Sequence, residues 1–237
     1  TILDFAVGSG RFLLAAFRAL LRRESAYYFT MADNSENEDL PKEVQIPSFE
    51  YKIKVASECL YGIDIDFNAV EVARFSITIA LFDDEFSHSL PKGNKILPNL
   101  DMNIVHGNSL VEPLGEFSHL FDAPTYAINK KELGFQDFDL VIGNPPYVAT
   151  EHMKKFSPDE FLYVKSNYVT PYKQWDKYFA FIELGVSLLN DGGVLGVVVP
   201  NKWLNNVSGA KLRTFLRQEI SVSSLHNFTY HPVFADK

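Results

Sequence analysis

The tetrapeptide Asn144-Pro145-Pro146-Tyr147, which follows an apolar run, carries the side chains best suited to chemistry in this sequence. Proline lacks a backbone N–H and fixes φ, so two prolines in succession prevent a helix and leave nearby carbonyl oxygens without a local donor. A rigid turn of this kind presents a side-chain amide oxygen and a main-chain carbonyl oxygen in fixed positions. Together these two oxygens can accept both hydrogens of an exocyclic amine.

Such a pair of acceptors favours transfer of a methyl group to that amine. As the nitrogen rehybridises toward sp³, positive charge develops on it, and fixed acceptors stabilise this charge without a strong base. The ring of Tyr147 can stack on a flat substrate, such as a base extruded from a duplex. A purely structural role is the alternative, because two prolines also commonly end a strand.

A glycine-containing loop is the second candidate site. It reads Asp-Phe-Ala-Val-Gly-Ser-Gly over residues 4–10, after an apolar run and before a helical pattern. Glycine allows a ligand to approach the backbone closely, and the N-terminus of the next helix offers unpaired N–H groups. Asp4 can accept a hydrogen bond from an α-amino group. A tight strand–helix turn would also explain the glycines. The candidate ligand-binding residues here are Asp4, Ala6, Gly8, Ser9 and Gly10.

Polar side chains also end the next two apolar runs. Asp64 is placed to accept hydrogen bonds from both hydroxyls of a ribose, whereas Asp66 is better placed to cap the following helix. Asn108 can bond the edge of an adenine ring. The neighbouring candidate residues are Ile65 and Ser109.

Short apolar runs that alternate with helical periodicity predict an α/β fold, with a mostly parallel sheet and helices on both faces. The predicted strands are Thr1–Asp4, Leu60–Ile65, Asn103–His106, Phe138–Ile142, Val194–Val199 and Val222–Phe228. The glycine loop, Asp64, Asn108 and the tetrapeptide each follow one of these strands, so the sheet would position all four.

Apolar side chains recur at helical spacing after the first two strands. The two sets are Leu13, Phe17, Leu20 and Leu21, and Val70, Ala73, Ile77, Ala80 and Leu81. Later helices are predicted over Tyr178–Leu189 and Lys211–Ile220, and Asp191-Gly192-Gly193 should turn the chain into the next strand. Three stretches fit no regular element: the acidic loop insertion Met31–Ser48, Phe86–Leu100 and Ala149–Gln174.

Length and composition predict one domain over residues 1–237, because 237 residues, 46% of them hydrophobic, can bury one sizeable core but are too few for two domains of ordinary size. The single cysteine, Cys59, excludes an internal disulfide, and the cytoplasm is the expected compartment. A net charge of -8 is unfavourable for binding DNA. Since the sequence begins with Thr1 inside a predicted strand, we interpret it as part of a longer protein whose DNA-gripping region lies elsewhere.

Taken in order, these motifs resemble the gamma-class adenine-N6 DNA methyltransferases, and most of all the methylase region of type IIG restriction–modification enzymes. Supporting stretches are Leu97–Asp101, Gly107–Leu110 and Val199–Leu204. The resemblance implies a Rossmann-like class I methyltransferase in a bacterium or archaeon, with S-adenosylmethionine as cofactor, double-stranded DNA as substrate and no metal. It also implies that Phe234 packs against a flipped adenine, and that Asn144 and Pro146 contact the cofactor as well.

Some positions depart from the family pattern. Phe5 and Val7 replace a proline and a cysteine, but neither position needs a side chain for hydrogen bonding, so cofactor binding should survive. Asn108 stands where aspartate is common and would hold the adenine amine more weakly. The family's segment that closes over the cofactor and its target-recognition domain are expected outside this sequence.

Two alternatives remain open. Glutamine N5 methyltransferases that act on release factors use the same tetrapeptide, although the long insertions and the segment around Trp203 argue against them. A cofactor-binding subunit of a restriction complex without activity of its own is also compatible with the sequence.

Overall fold

The computed structural model describes residues 1–33, 47–83, 97–111 and 138–228. The chain divides into two units. Unit 1 comprises Thr1–Asn144 and Leu188–Val197, and unit 2 comprises Pro145–Ser187 and Val198–Lys237.

Unit 1 contains a five-stranded sheet in the order β3-β2-β1-β4-β5, and every pairing is parallel. The α/β prediction is therefore confirmed. The strands are β1 (Ile2–Asp4), β2 (Leu60–Asp64), β3 (Ile104–His106), β4 (Phe138–Gly143) and β5 (Leu189–Val197).

The strand order creates a switch point beside β1. The chain moves outward from β1 to β2 and β3, and then returns to pair β4 with the other side of β1. Asp4 at the end of β1 consequently lies between Gly62 of β2 and Ile142 of β4. Ligands of open parallel sheets bind outside the carboxyl ends of the strands at such a point. The loops after β1, β2 and β4 all leave from this edge.

In the described part of unit 1, three helices cover the apolar sheet residues: α1 (Arg11–Asp33), α2 (Phe49–Glu58) and α3 (Phe67–Ala80). The predicted apolar faces are confirmed, since Leu13 and Phe17 of α1 and Ala73 and Ile77 of α3 are fully buried. Helix α1 extends to Asp33, so the first three residues of the predicted insertion are helical. No proline or glycine interrupts the chain there. Residues 34–46 of that insertion lie outside the described residues.

Unit 2 contains four helices in its described part, and the prediction of no regular structure over Ala149–Gln174 is wrong. They are α4 (Thr150–Phe156), α5 (Pro158–Asn167), α6 (Tyr178–Ser187) and α7 (Ala210–Glu219), together with a 3-10 helix at Asn201–Leu204. Helix α5 has Pro158 at its start and Lys165 in its last turn, both of which favour a helix. The helix is only ten residues long, so its sequence contains too few helical turns for a periodic pattern of apolar residues to be recognised.

Two further predictions are wrong, one of a turn and one of a strand. Asp191-Gly192-Gly193 lies inside β5, where the register with β4 is irregular and Gly192 has φ +80. The turn-forming residues therefore make a bulge in a strand. Val222–Phe228 forms no strand and is exposed throughout. An apolar run becomes a strand only when it pairs with a sheet edge, and no described strand pairs with this one.

Among the described helices, none is both long and apolar enough to cross a membrane.

Candidate active site

The two glycines of the loop after β1 serve different purposes. Gly8 and Gly10 have φ of +51 and +80, in the left-handed region that favours glycine. A Cβ at Gly10 would lie 3.0 Å from the Cα and Cβ of Ala73, so this glycine lets the loop pack on α3. A Cβ at Gly8 would meet no atom within 4 Å. The space beside Gly8 is therefore open to a ligand.

Hydrogen bonds join this loop to the ends of the neighbouring strands. The Val7 N–H donates to the Ile63 carbonyl at 3.0 Å, and the Gly8 N–H donates to Oδ2 of Asp64 at 2.8 Å. The Ser109 hydroxyl donates to the Phe5 carbonyl at 2.6 Å. The structure thus brings together the glycine loop, Asp64 and Ser109.

The carboxylates of Asp64 and Asp66 accept hydrogen bonds from different parts of the chain. Oδ1 of Asp66 accepts from the Asn68 N–H at 2.9 Å and caps α3, so that prediction is confirmed. Asp64 accepts from Gly8 and, through Oδ1, from the Asp66 N–H at 2.9 Å. Each carboxylate oxygen can accept a second hydrogen bond. The half-buried Asp64 therefore organises the loop and still has capacity for a ligand.

Asp4 is the most unusual charged group of this site. It is fully buried, and its Oδ1 accepts from the Ala6 N–H at 3.1 Å. Its Oδ2 has no hydrogen-bond partner among the described residues. Burial raises the pKa of Asp4 to about 7, the Ala6 N–H opposes this rise, and the negative charge of Asp64 adds to it. A buried carboxylate oxygen without a partner is costly, and a cationic ligand would remove that cost.

Asn108 is buried at the end of β3. Its Oδ1 accepts from the Leu110 N–H at 3.0 Å, which closes a turn. Nearby, His106 Nε2 lies 3.0 Å from the Ile65 carbonyl oxygen, and Ile65 itself is 60% exposed.

Phe5 and Val7, the departures from the family pattern, pack against glycines of the sheet. A Cβ at Gly143 would lie 2.7 Å from the Phe5 ring, and a Cβ at Gly62 would lie 2.9 Å from Cγ2 of Val7. Both side chains are buried. Their size is therefore matched by the absence of a side chain on the adjacent strand.

The tetrapeptide follows β4 directly. Asn144 is half-buried, Pro145 is buried and Pro146 is exposed. The Tyr147 hydroxyl donates to the Val198 carbonyl at 2.9 Å, and its ring meets Tyr178 edge-on at 6.1 Å. Burial, followed by the charge of Asp176, raises the pKa of Tyr147. The hydroxyl therefore stays protonated and anchors a ring that is still 45% exposed.

Residues of unit 2 that the sequence analysis missed support this turn. Asp176 pairs with Ala149 in an isolated antiparallel bridge. Burial raises the pKa of the Asp176 carboxyl, and the Val148 N–H opposes this rise. The Tyr178 hydroxyl donates to the Pro200 carbonyl at 3.4 Å. The only sequence feature that could have indicated a role for Asp176 is its position two residues before an apolar helix, and such an arrangement is too common to be informative. Phe234 lies outside the described residues.

Comparison with known proteins shows which family this sequence resembles. The model of the Eco57I restriction-modification methylase family matches residues 58–234. The type II restriction enzyme and methyltransferase RM.Eco57I of Escherichia coli is 36% identical over 99% of this chain and 23% of its own length. The type II methyltransferase M.PaeR7I of Pseudomonas aeruginosa is 33% identical over 41% of this chain and 16% of its own length.

Among solved structures, the type IIL restriction-modification enzyme MmeI in complex with DNA aligns with a TM-score of 0.55 at 16% identity, covering 92% of this chain and 27% of that chain. The likeness shows that the two proteins share a fold. The chain spans about a quarter of the length of RM.Eco57I.

Proposed function

Because the chain belongs to the Eco57I restriction-modification methylase family, we propose that it methylates the N6 amine of an adenine flipped out of double-stranded DNA, with S-adenosylmethionine as methyl donor. It would do so in the cytoplasm as part of a restriction–modification system. The observation that carries the proposal is that the Asn144–Tyr147 turn directly follows β4. Strand β4 pairs with β1, and the glycine loop follows β1.

The residues around the glycine loop fit S-adenosylmethionine. The unpartnered Oδ2 of Asp4 suits the cationic α-amino group, and the open side of Gly8 admits a ligand close to the backbone. Asp64 retains acceptor capacity for the ribose hydroxyls, and Asn108 and Ser109 are assigned to the adenine end. When bound, the cofactor supplies a methyl group on a positively charged sulfur. Contacts from Ala6, Ser9, Gly10, Ile65 and Pro146 complete the proposed cofactor site.

The tetrapeptide holds the target amine in this proposal. The amide oxygen of Asn144 and the carbonyl oxygen of Pro145 accept its two hydrogens and direct the nitrogen lone pair toward the methyl group. Positive charge then develops on the nitrogen between two fixed acceptors, which stabilise it. The anchored ring of Tyr147 stacks on the base, and Phe234 packs against it.

The proposed function is tested by the modification left on cellular DNA. Cells that express the protein in its full natural length should contain N6-methyladenine within one short sequence context, measured by mass spectrometry and sequencing of their DNA. Cells expressing the Asn144→Ala variant provide the matched control and should lack the mark. Methylated glutamine on a protein, with unmodified DNA, would contradict the proposal.

Asp64→Ala should weaken S-adenosylmethionine binding by about 10- to 100-fold, because hydrogen bonds to a charged acceptor contribute roughly 1.5–3 kcal/mol. Calorimetry measures the affinity. Asp66→Ala is the matched control: it removes the cap of α3, about 1 kcal/mol of stability, and should leave the affinity unchanged.

Since Asp64 also holds the loop through Gly8, a second comparison isolates its contact with the ribose. A cofactor analogue without the 2′-hydroxyl should bind the wild type more weakly than the parent compound does. Asp64→Ala should bind both compounds equally. If the variant still discriminates between them, the ribose assignment is wrong.

A further inference from the structure

We propose that unit 2 binds a backbone phosphate of DNA at the start of α7, in a cavity beside Lys173, Ser208 and Lys211. This inference rests on the proposed function, since it takes DNA as the substrate. The cavity has a volume of about 480 Å³, enough for a phosphate with its adjoining sugars. Its lining residues are Lys173, Gln174, Asn206, Val207 and Ser208. One ammonium, two amides and one hydroxyl can thus donate hydrogen bonds to an anion.

Ser208 is the first sign that an anion belongs in this cavity. The residue as a whole is only 9% exposed, and it lines the cavity. Its hydroxyl can donate a hydrogen bond to an anion there. It lies just before α7, a ten-residue helix whose first turn has neither an acidic residue nor a side-chain cap. Such an N-terminus attracts negative charge.

Two lysines provide the second sign. The ammonium groups of Lys173 and Lys211 lie 5.4 Å and 5.7 Å from the centroid of the same Tyr172 ring. Lys211 also stands in the first turn of α7, where the helix dipole disfavours a cation. An anion at the start of the helix would offset the unfavourable interaction of Lys211 with the helix dipole.

The backbone conformation of Lys173 also supports a ligand site. Its φ is +55, and no other non-glycine residue in the described ranges has a positive φ. A lysine in this region is uncommon, and such conformations persist where the surrounding structure imposes them, often at ligand sites. The conformation places Lys173 on the wall of the cavity.

The loop before α7 is held rigidly, so the donors are arranged before a ligand arrives. Arg213 donates to the carbonyl oxygens of Trp203 and Asn206, the latter at 3.0 Å. The Gly209 N–H donates to Oδ1 of Asn206 at 2.8 Å. A preorganised site loses less conformational freedom on binding.

The charge of unit 2 fits a DNA partner better than the whole-chain charge of -8 does. Its described residues include nine lysines and arginines and six aspartates and glutamates. The Glu160–Lys177 ion pair at 2.6 Å cancels one charge of each sign and leaves this balance unchanged. The described part of unit 2 therefore has a formal net charge of +3, which is the sign that phosphate contacts require.

The test compares two variants of α7 that remove the same charge. Lys211→Gln should weaken binding of a target DNA duplex about 3- to 10-fold and reduce by about one the slope of log affinity against log salt concentration. Arg217→Gln, at the far end of the helix, is the matched control and should change neither. Lys211→Arg should restore both values, and Ser208→Ala should lower affinity without changing the slope. Thermal unfolding and cofactor affinity, measured on every variant, should match the wild type.

Equal effects of Lys211→Gln and Arg217→Gln, in an enzyme that still methylates the duplex, would overturn the phosphate site and leave the proposed function standing. If Lys211→Gln weakens binding of inorganic phosphate but not of the duplex, the site does not hold DNA and the inference is also overturned. A wild-type protein that neither binds nor methylates DNA would overturn the proposed function itself.

Discussion

Asn144→Ala should lower the rate of methyl transfer by about 100- to 1000-fold while cofactor affinity stays nearly unchanged. The magnitude is that of removing one preorganised hydrogen-bonding group from the charge that develops in a transition state. Asn144 ends unit 1 immediately after β4, and the two prolines that follow fix the direction of the turn. Alanine keeps the turn and removes only the acceptor.

Single-turnover kinetics with a saturating duplex measure this effect, because they separate chemistry from product release. Asn144→Asp is the matched variant: it keeps an acceptor oxygen at the same place and should retain much more activity than Asn144→Ala. If both variants lose activity equally, or if Asn144→Ala mainly weakens cofactor binding, the assignment of Asn144 to the target amine is wrong.

Asp4→Asn should stabilise the cofactor-free protein at pH 8 by up to about 4 kcal/mol, because burial raises the pKa of Asp4 from 3.8 to about 7. The folded protein then holds a proton that the unfolded chain loses above pH 3.8. The stability contribution of Asp4 therefore falls as the pH rises from about 4 to 7, and is constant above. Asparagine does not ionise and avoids this loss, although its own amide must also be accommodated.

Urea unfolding at several pH values measures the difference between wild type and Asp4→Asn. The difference should be small near pH 4, grow toward pH 7 and then level off. A difference that is independent of pH would show that Asp4 ionises normally in the folded protein.

The same substitution should weaken S-adenosylmethionine binding, since the unpartnered Oδ2 is assigned to the α-amino group. Wild-type affinity should rise as Asp4 ionises near pH 7, and fall above about pH 8 as the ligand's α-amino group loses its proton. Asp4→Asn should lack the rise. A thioether analogue without the amino-acid end is the control ligand. Its affinity should show neither the rise near pH 7 nor the fall above about pH 8.

Local patterns in the sequence predicted much of unit 1. Helix α3 has its apolar residues at helical spacing and its cap at Asp66, so its face and start follow from neighbouring residues alone. The same holds for the glycine loop, where Gly8 and Gly10 adopt conformations that other residues rarely adopt. The residues of the candidate cofactor site were found for this reason, while their functional roles remain predictions.

Contacts between distant residues decided what the sequence analysis missed. The bulge at Gly192 arises where the register of β5 along β4 shifts between Phe138 and Leu140. The run Val222–Phe228 is exposed, and no described strand pairs with it. Helices α4 and α5 were missed because they are short and lie among polar and aromatic residues that hide their period.

The tetrapeptide shows the boundary between the two kinds of information. The order Asn144-Pro145-Pro146-Tyr147 by itself determined a rigid turn with fixed acceptors, because the covalent geometry of proline allows little else. Only the tertiary structure decided that Tyr147 is anchored by Val198 and that one oxygen of Asp4 is buried without a partner. Both facts depend on which distant atoms surround a side chain, and burial and hydrogen bonding are set by that environment and not by the neighbours in the sequence.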